Sequence, residues 1–125
     1  MPQIATISLL KPLQEIECSS FRNSVDEIVA ITARCSYSLV HTEGLRISIL
    51  YSPDGKNYDT IPFTFFDIDI KANAVQQKTQ LIEILPTGLF IIKVKNMDPT
   101  KNVTNISLFI NKERTVVLDV KNNTK

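Results

Sequence analysis

At 125 residues the chain has room for one ordinary domain and for a core that needs no metal or disulfide staple. An apolar fraction of 43% beside 22% charged residues is ordinary globular usage and excludes disorder of the whole chain. Fourteen basic against 13 acidic residues leave a net charge of +1, without the field that holds a polyanion, so neither nucleic acid nor an acidic membrane is an expected partner.

The start, Met1-Pro2-Gln3-Ile4, has neither the basic opening nor the apolar block of a signal peptide. No run approaches the roughly 20 apolar residues of a membrane helix. A cytoplasmic or virion-associated place without membrane insertion is the expectation, with removal of a leader and signal-less export left open. Alternation of apolar and polar residues then recurs almost everywhere, as half-buried strands require. Residues 4–10 read as a first strand, stopped by Lys11-Pro12, and residues 14–19 as a second. Residues 20–26 have a turn composition.

Residues 27–39 form the longest alternating run. Val29, Ile31, Ala33, Cys35, Tyr37 and Leu39 share one face and are expected in the core; Arg34, Ser36 and Ser38 lie on the other. Its β-branched residues and lack of a capping pattern argue against a helix. Leu45, Ile47, Ile49 and Tyr51 make the next inward face, with Arg46 and Ser48 outward. Ser52-Pro53-Asp54-Gly55 is the sharpest turn signal: Pro presets φ, Asp caps locally and Gly accepts positive φ. Strands follow at 63–70, 75–85, 89–96, 103–111 and 115–120, with a turn at Pro86-Thr87-Gly88, a loop over 97–102 and a frayed polar tail at 121–125. About nine strands with short connections predict one all-β domain over residues 1–120. The expected form is an antiparallel two-sheet sandwich, jelly-roll or immunoglobulin-like.

Chemistry-bearing residues are sparse. His41 is the only histidine, in a turn beside Thr42, Glu43 and Gly44, and reads as a solvated surface residue with no oriented partner. Asp54, Asp59, Asp67 and Asp69 could suggest calcium, but they match no known calcium loop. Asp54 reads instead as a turn former, and Asp67 with Asp69 as a wet strand face that discourages edge pairing. Cys18 and Cys35 lack metal-ligand spacing; two buried free thiols are the favoured reading, with a disulfide left open. The three glycines sit at turns rather than in a phosphate loop. No catalytic residue, metal or cofactor is expected. Tyr51, Tyr58, Phe63, Phe65 and Phe66 cluster around the Pro-Asp-Gly turn; most read as core, and Tyr58 as the exposed one. Asn-x-Ser/Thr sequons start at Asn102, Asn105 and Asn122 and read as chance in an Asn-rich chain.

Two blocks carry a resemblance. The run LRISILYSPDGKNYDT over residues 45–60 resembles a strand-turn-strand element of β-sandwich modules in phage tail and virion appendages and in some bacterial surface proteins. The matching positions are Ser52, Asp54, Gly55, Tyr58 and Asp59. The run FIIKVKNMDPTKNVTNISLFI over residues 90–110 resembles their second half, with Asn96, Met97 and Asp98 as its loop. Together the blocks span one sandwich over roughly residues 14–112; the strand at 4–10 and the polar tail depart from the pattern. A similar Ser-x-Asp-Gly turn occurs in galactose-binding-like and fibronectin-like sandwiches. The resemblance implies a structural or adhesive role, often in oligomers, and no catalytic residue. The expected function is therefore a non-catalytic structural or protein-interaction module that self-associates through the face of Arg34, Ser36 and Ser38 or through an edge strand. The alternative is a carbohydrate-binding module. Tyr51, Asp54, Tyr58 and Asp59 are the candidate contacts, with a ring stacking on sugar and Asp accepting from hydroxyls.

Overall fold

In the computed structural model, residues 3–18, 27–37, 42–71, 74–84 and 89–112 are described. Among them the chain forms eight strands and no helix. They are β1 (Gln3–Leu10), β2 (Glu15–Glu17), β3 (Glu27–Tyr37), β4 (Leu45–Ser52), β5 (Thr64–Ile68), β6 (Val75–Ile84), β7 (Leu89–Asn96) and β8 (Val103–Lys112). The turns expected at 20–26 and 86–88, the strand at 115–120, the tail, Ser38, Leu39, His41 and the Asn122 sequon lie outside the described residues.

The strands build two four-stranded antiparallel sheets, in the orders β1-β8-β3-β6 and β2-β7-β4-β5. The ladders β1–β8, β2–β7, β3–β6 and β4–β5 are those of one long hairpin folded at its middle. The ladders β3–β8 and β4–β7 then roll that hairpin into two layers. This is the jelly-roll arrangement, the first of the two sandwich classes that the alternation predicts.

The inner faces follow the period-two pattern. Val29, Ile31, Ala33, Cys35 and Tyr37 of β3 are buried against Leu45, Ile47 and Ile49 of β4, Phe66 and Ile68 of β5, and Phe90, Ile92 and Val94 of β7. Ile106, Leu108 and Ile110 of β8 complete the layer. Each fully buried Ile or Leu contributes about 1.5–3 kcal/mol, so this interior is the main source of stability. The outer faces are less regular. Leu50 and Ile91 oppose each other on the outward side of β4 and β7, yet are 5% and 4% exposed. Tyr51 keeps to the inner side and is only half-buried, its ring tilted on Phe90 at 5.0 Å.

The strand ends depart modestly from the alternation. Of residues 14–18 only Glu15–Glu17 form β2, and residues 63–70 yield β5 from Thr64 to Ile68. The β1–β2 connection explains why β2 starts only at Glu15. Gln14 N donates to Lys11 O across Pro12 and Leu13, and Leu13 has φ 60°, the mark of a type II turn with proline in second place.

Candidate functional site

The loop after β4 is locked by its own side chains. Gly55 N donates to Ser52 Oγ at 2.8 Å, and that hydroxyl donates to Asp54 Oδ1 at 3.0 Å. Lys56 N and Asn57 N also donate to Asp54 Oδ1, and Asn57 Nδ2 donates to Asp54 Oδ2. The N–H groups of Asn57 and Lys56, with the Asn57 and Ser52 side chains behind them, hold the Asp54 carboxyl well below the ordinary carboxylate range. Gly55 has φ 78°, which a residue with Cβ rarely adopts. The turn chemistry read from Ser52-Pro53-Asp54-Gly55 is thus present, and Asp54 spends its acceptors inside the loop. Beyond it Asp59 N donates to Tyr51 O and Phe63 N to Ile49 O, so residues 59–63 run beside β4.

Of the candidate contacts, Tyr51 lies against the core on Phe90, Asp54 is the loop's lock, Tyr58 is half-exposed and Asp59 is exposed. The loop therefore brings Tyr58 and Asp59 to the surface and turns Tyr51 inward. The alternation missed where the exposed rings are. Phe66 is core, but Phe65 on the opposite face is 51% exposed and Phe63, edge-on to Phe90, is 43% exposed. The Arg46 guanidinium sits 4.5 Å over the Phe65 ring and is paired with Asp67 at 2.7 Å. Asp67 is thus an ion-pair partner on the wet face expected of it.

A second polar cluster closes one end of the sandwich. Asn96 and Asp98 are fully buried. Asn96 Nδ2 donates to the carbonyls of Leu10, Lys11 and Lys101, and Asp98 N donates to Asn96 Oδ1. The Asp98 carboxylate accepts from Thr42 N, Glu43 N, Thr100 N and Lys101 N. Burial pushes its pKa up, but those N–H groups outweigh burial and hold it well below the ordinary range. Nearby, Tyr37 Oη accepts from Leu45 N and donates to Ile68 O, joining β4 to β5 through a side chain from the other sheet. Burial raises the Tyr37 pKa, with Cys35 adding to the rise. These groups satisfy one another, which is the signature of a structural clasp rather than a reactive centre. The spacing around Asn96, Met97 and Asp98 predicts a loop and carries no sign that it ties three connections together.

The thiols are free. Cys35 is buried as expected, and burial pushes its pKa up to about 11 against a lowering hydrogen bond with Tyr37. Cys18 is only half-buried, with its pKa raised by burial and by Glu17. Among the described residues no group of three or more His, Cys, Asp or Glu side chains is placed to hold a metal ion. Among the described residues no helix is long and apolar enough to cross a membrane.

The most uneven feature is the distribution of exposed apolar side chains. Nine large apolar residues are exposed among the described ones. Seven lie on the flank where β5 and β6 end the two sheets. Ile61, Phe63 and Phe65 belong to β5 and its approach, Ile70 and Val75 to the passage into β6, Leu81 to β6, and Ile28 to the start of β3 beside β6. Only Leu9 and Leu13 lie toward the opposite flank. Hydrogen bonds from Lys78 Nζ to Asp67 O and from Gln76 Nε2 to Asp69 O tie β6 to β5 along the flank.

No known protein family and no curated protein matches the chain. Solved structures similar to it include a family GH115 4-O-methyl-alpha-glucuronidase with specificity for decorated arabinogalactans, at 15% identity and a TM-score of 0.47. That likeness covers 81% of this chain and 14% of the other. The CBM22-1-GH10 modules of Clostridium thermocellum endo-1,4-beta-D-xylanase 10B, complexed with xylohexaose, are similar at 10% identity and a TM-score of 0.45, covering 80% of this chain and 19% of that one. The chain thus spans less than a fifth of either protein, and likeness at this level carries nothing about what it binds.

Proposed function

We propose that this chain is a non-catalytic structural or protein-interaction module that self-associates through the flank formed by β5 and β6. One observation carries the reading: among the described residues, seven of the nine exposed large apolar side chains belong to the elements at that flank. Exposed apolar side chains scattered singly are normal, whereas a concentration on one side marks a surface that gains by being covered. The resemblance of residues 45–60 to modules of virion appendages and bacterial surface proteins is in keeping with a part in such an assembly. The outward face of β3, with Arg34 exposed and its Nε donating to Gln77 Oε1, is more polar and less suited to a dry contact.

The test is solution mass by light scattering over a range of concentrations, with and without reductant. The wild type should form an oligomer that Ile61→Glu or Val75→Lys dissociates and Leu9→Glu, near the other flank, leaves intact. A wild type that stays monomeric throughout, or an oligomer indifferent to both flank variants, rejects the proposal.

A carbohydrate-binding role is the second reading, and the locked loop favours it. A loop held by five hydrogen bonds among Ser52, Asp54, Gly55, Lys56 and Asn57 presents Tyr58 and Asp59 with little ordering left to do on binding. A glycan array on which the wild type binds and Tyr58→Ala does not would support it. An array blank for both proteins would remove it.

A further inference from the structure

We propose that β6 pairs antiparallel with β6 of a second copy of this chain, about a two-fold axis at Leu81, joining two four-stranded sheets into one of eight. The inference rests on the self-association reading and specifies its contact.

Among the described residues, β6 is the open one of the two edges on this flank. On the β5 side, the carbonyls of Asp67 and Asp69 already accept from Lys78 and Gln76. β5 is also five residues long, against ten for β6. β6 pairs with β3 on one side and with no described strand on the other. The remaining edges are poor templates: β2 has three residues, and β1 has an irregular register near Gln3. A long strand with one row of backbone groups unpaired recruits another strand unless something blocks it. Lys78, the one charged side chain on the inward face of β6 among the described residues, is turned toward β5. It stands opposite Ala33 on the inward face, and its ammonium is bonded to Asp67 O rather than held beside the free edge.

The outward face of β6 says which strand fits. Leu81 is 65% exposed and stands opposite Ala30 of β3, two residues from Ile28, itself 51% exposed. A two-fold axis perpendicular to the sheet keeps each face on its own side, so paired positions must have the same parity. With the axis at Leu81, the two Leu81 side chains meet. One row then reads Ala30, Leu81, Leu81 of the second copy, Ala30 of the second copy. Thr79 opposes Glu83 in this register, and Lys78 never faces Lys78. Centring on Thr79 would instead set Leu81 against Gln77 and Val75 against Glu83, mixing apolar with polar. The second copy is therefore the partner whose pattern completes this edge, and Leu81 against Leu81 is the register that puts the exposed apolar side chain of β6 on its own kind.

The experiment combines solution mass with cysteine pairing in oxidised glutathione, using folded variants of the whole chain in a Cys18→Ser background, checked by circular dichroism. Opposed residues at such an axis have Cα atoms close enough for a disulfide. Leu81→Cys should give a covalent dimer that reductant dissolves, while Val75→Cys and Thr79→Cys should not. Leu81→Lys should weaken the dimer at least tenfold. Efficient cross-linking by Thr79→Cys but not Leu81→Cys overturns the register. An oligomer that Ile61→Glu dissociates, but that neither cross-links at Leu81 nor responds to Leu81→Lys, overturns strand pairing and leaves the flank reading standing. A monomer at every concentration overturns both.

Discussion

Asp98 is the residue whose loss should be felt most. Its carboxylate serves four backbone N–H groups from two connections while fully buried. Asp98→Ala strands several buried donors and should cost about 2–4 kcal/mol in urea unfolding. Its native pKa lies below the ordinary value of 3.8. The unfolded chain therefore binds the proton first, so the stability Asp98 supplies is complete above that ordinary value and is lost as pH falls through it toward the native pKa. Acid melts should show this loss in the wild type and a shallower one in Asp98→Asn. Leu13 offers the opposite sign. It is exposed and sits at φ 60°, where a side chain is strained, so Leu13→Gly should raise stability by roughly 0.5–1 kcal/mol. For the thiols, Cys18 should react with a thiol reagent in the native protein and Cys35 only on unfolding, because burial keeps the second protonated and out of reach. Of all this, the sequence disclosed Asp54 as a turn former, because an Asx turn is a local device. It could not disclose Asp98, whose donors at Thr42 and Glu43 lie more than 50 positions away.

Among elements, β4 and β5 are joined unusually at their end. Leu45 N and Ile68 O, opposite in register, are bridged by the Tyr37 hydroxyl. Tyr37→Phe removes the bridge but keeps the ring, and should cost about 1–3 kcal/mol by leaving a buried donor and acceptor without it. Gly44 permits the arrangement, since a Cβ there would overlap the Ile68 carbonyl oxygen and crowd Tyr37 Oη. Gly44→Ala should therefore lower the melting temperature despite making the chain stiffer. The Arg46–Asp67 pair should matter far less, because both side chains are substantially exposed and such pairs contribute less than about 1 kcal/mol. Strand positions and the inward faces of β3 and β4 were legible because alternation is a local signal. Strand order was not, since every strand alternates alike and nothing in the pattern says which partner it takes. That gap also hid the exposure of Phe65 and Leu81. An apolar residue reads as core until it is known to face outward near the last strand of a sheet.

At the scale of the whole molecule, the two sheets are asymmetric about their midline, with a mostly polar flank at β1 and β2 and an apolar one at β5 and β6. The rolled hairpin also has a consequence in time. β8 lies between β1 and β3, so β1 has no ladder partner until residues 103–112 exist, and the first sheet lacks its second strand until then. β2 likewise waits for β7. A chain emerging from the ribosome at roughly 5–20 residues per second must keep these apolar faces unpaired for several seconds before the last ladder can close. The β3–β6 and β4–β5 ladders are available earlier, so synthesis should leave a half-built layer exposed to chaperones and to other nascent copies. The order of manufacture, as much as the finished surface, thus sets when this protein is most vulnerable to sticking to itself.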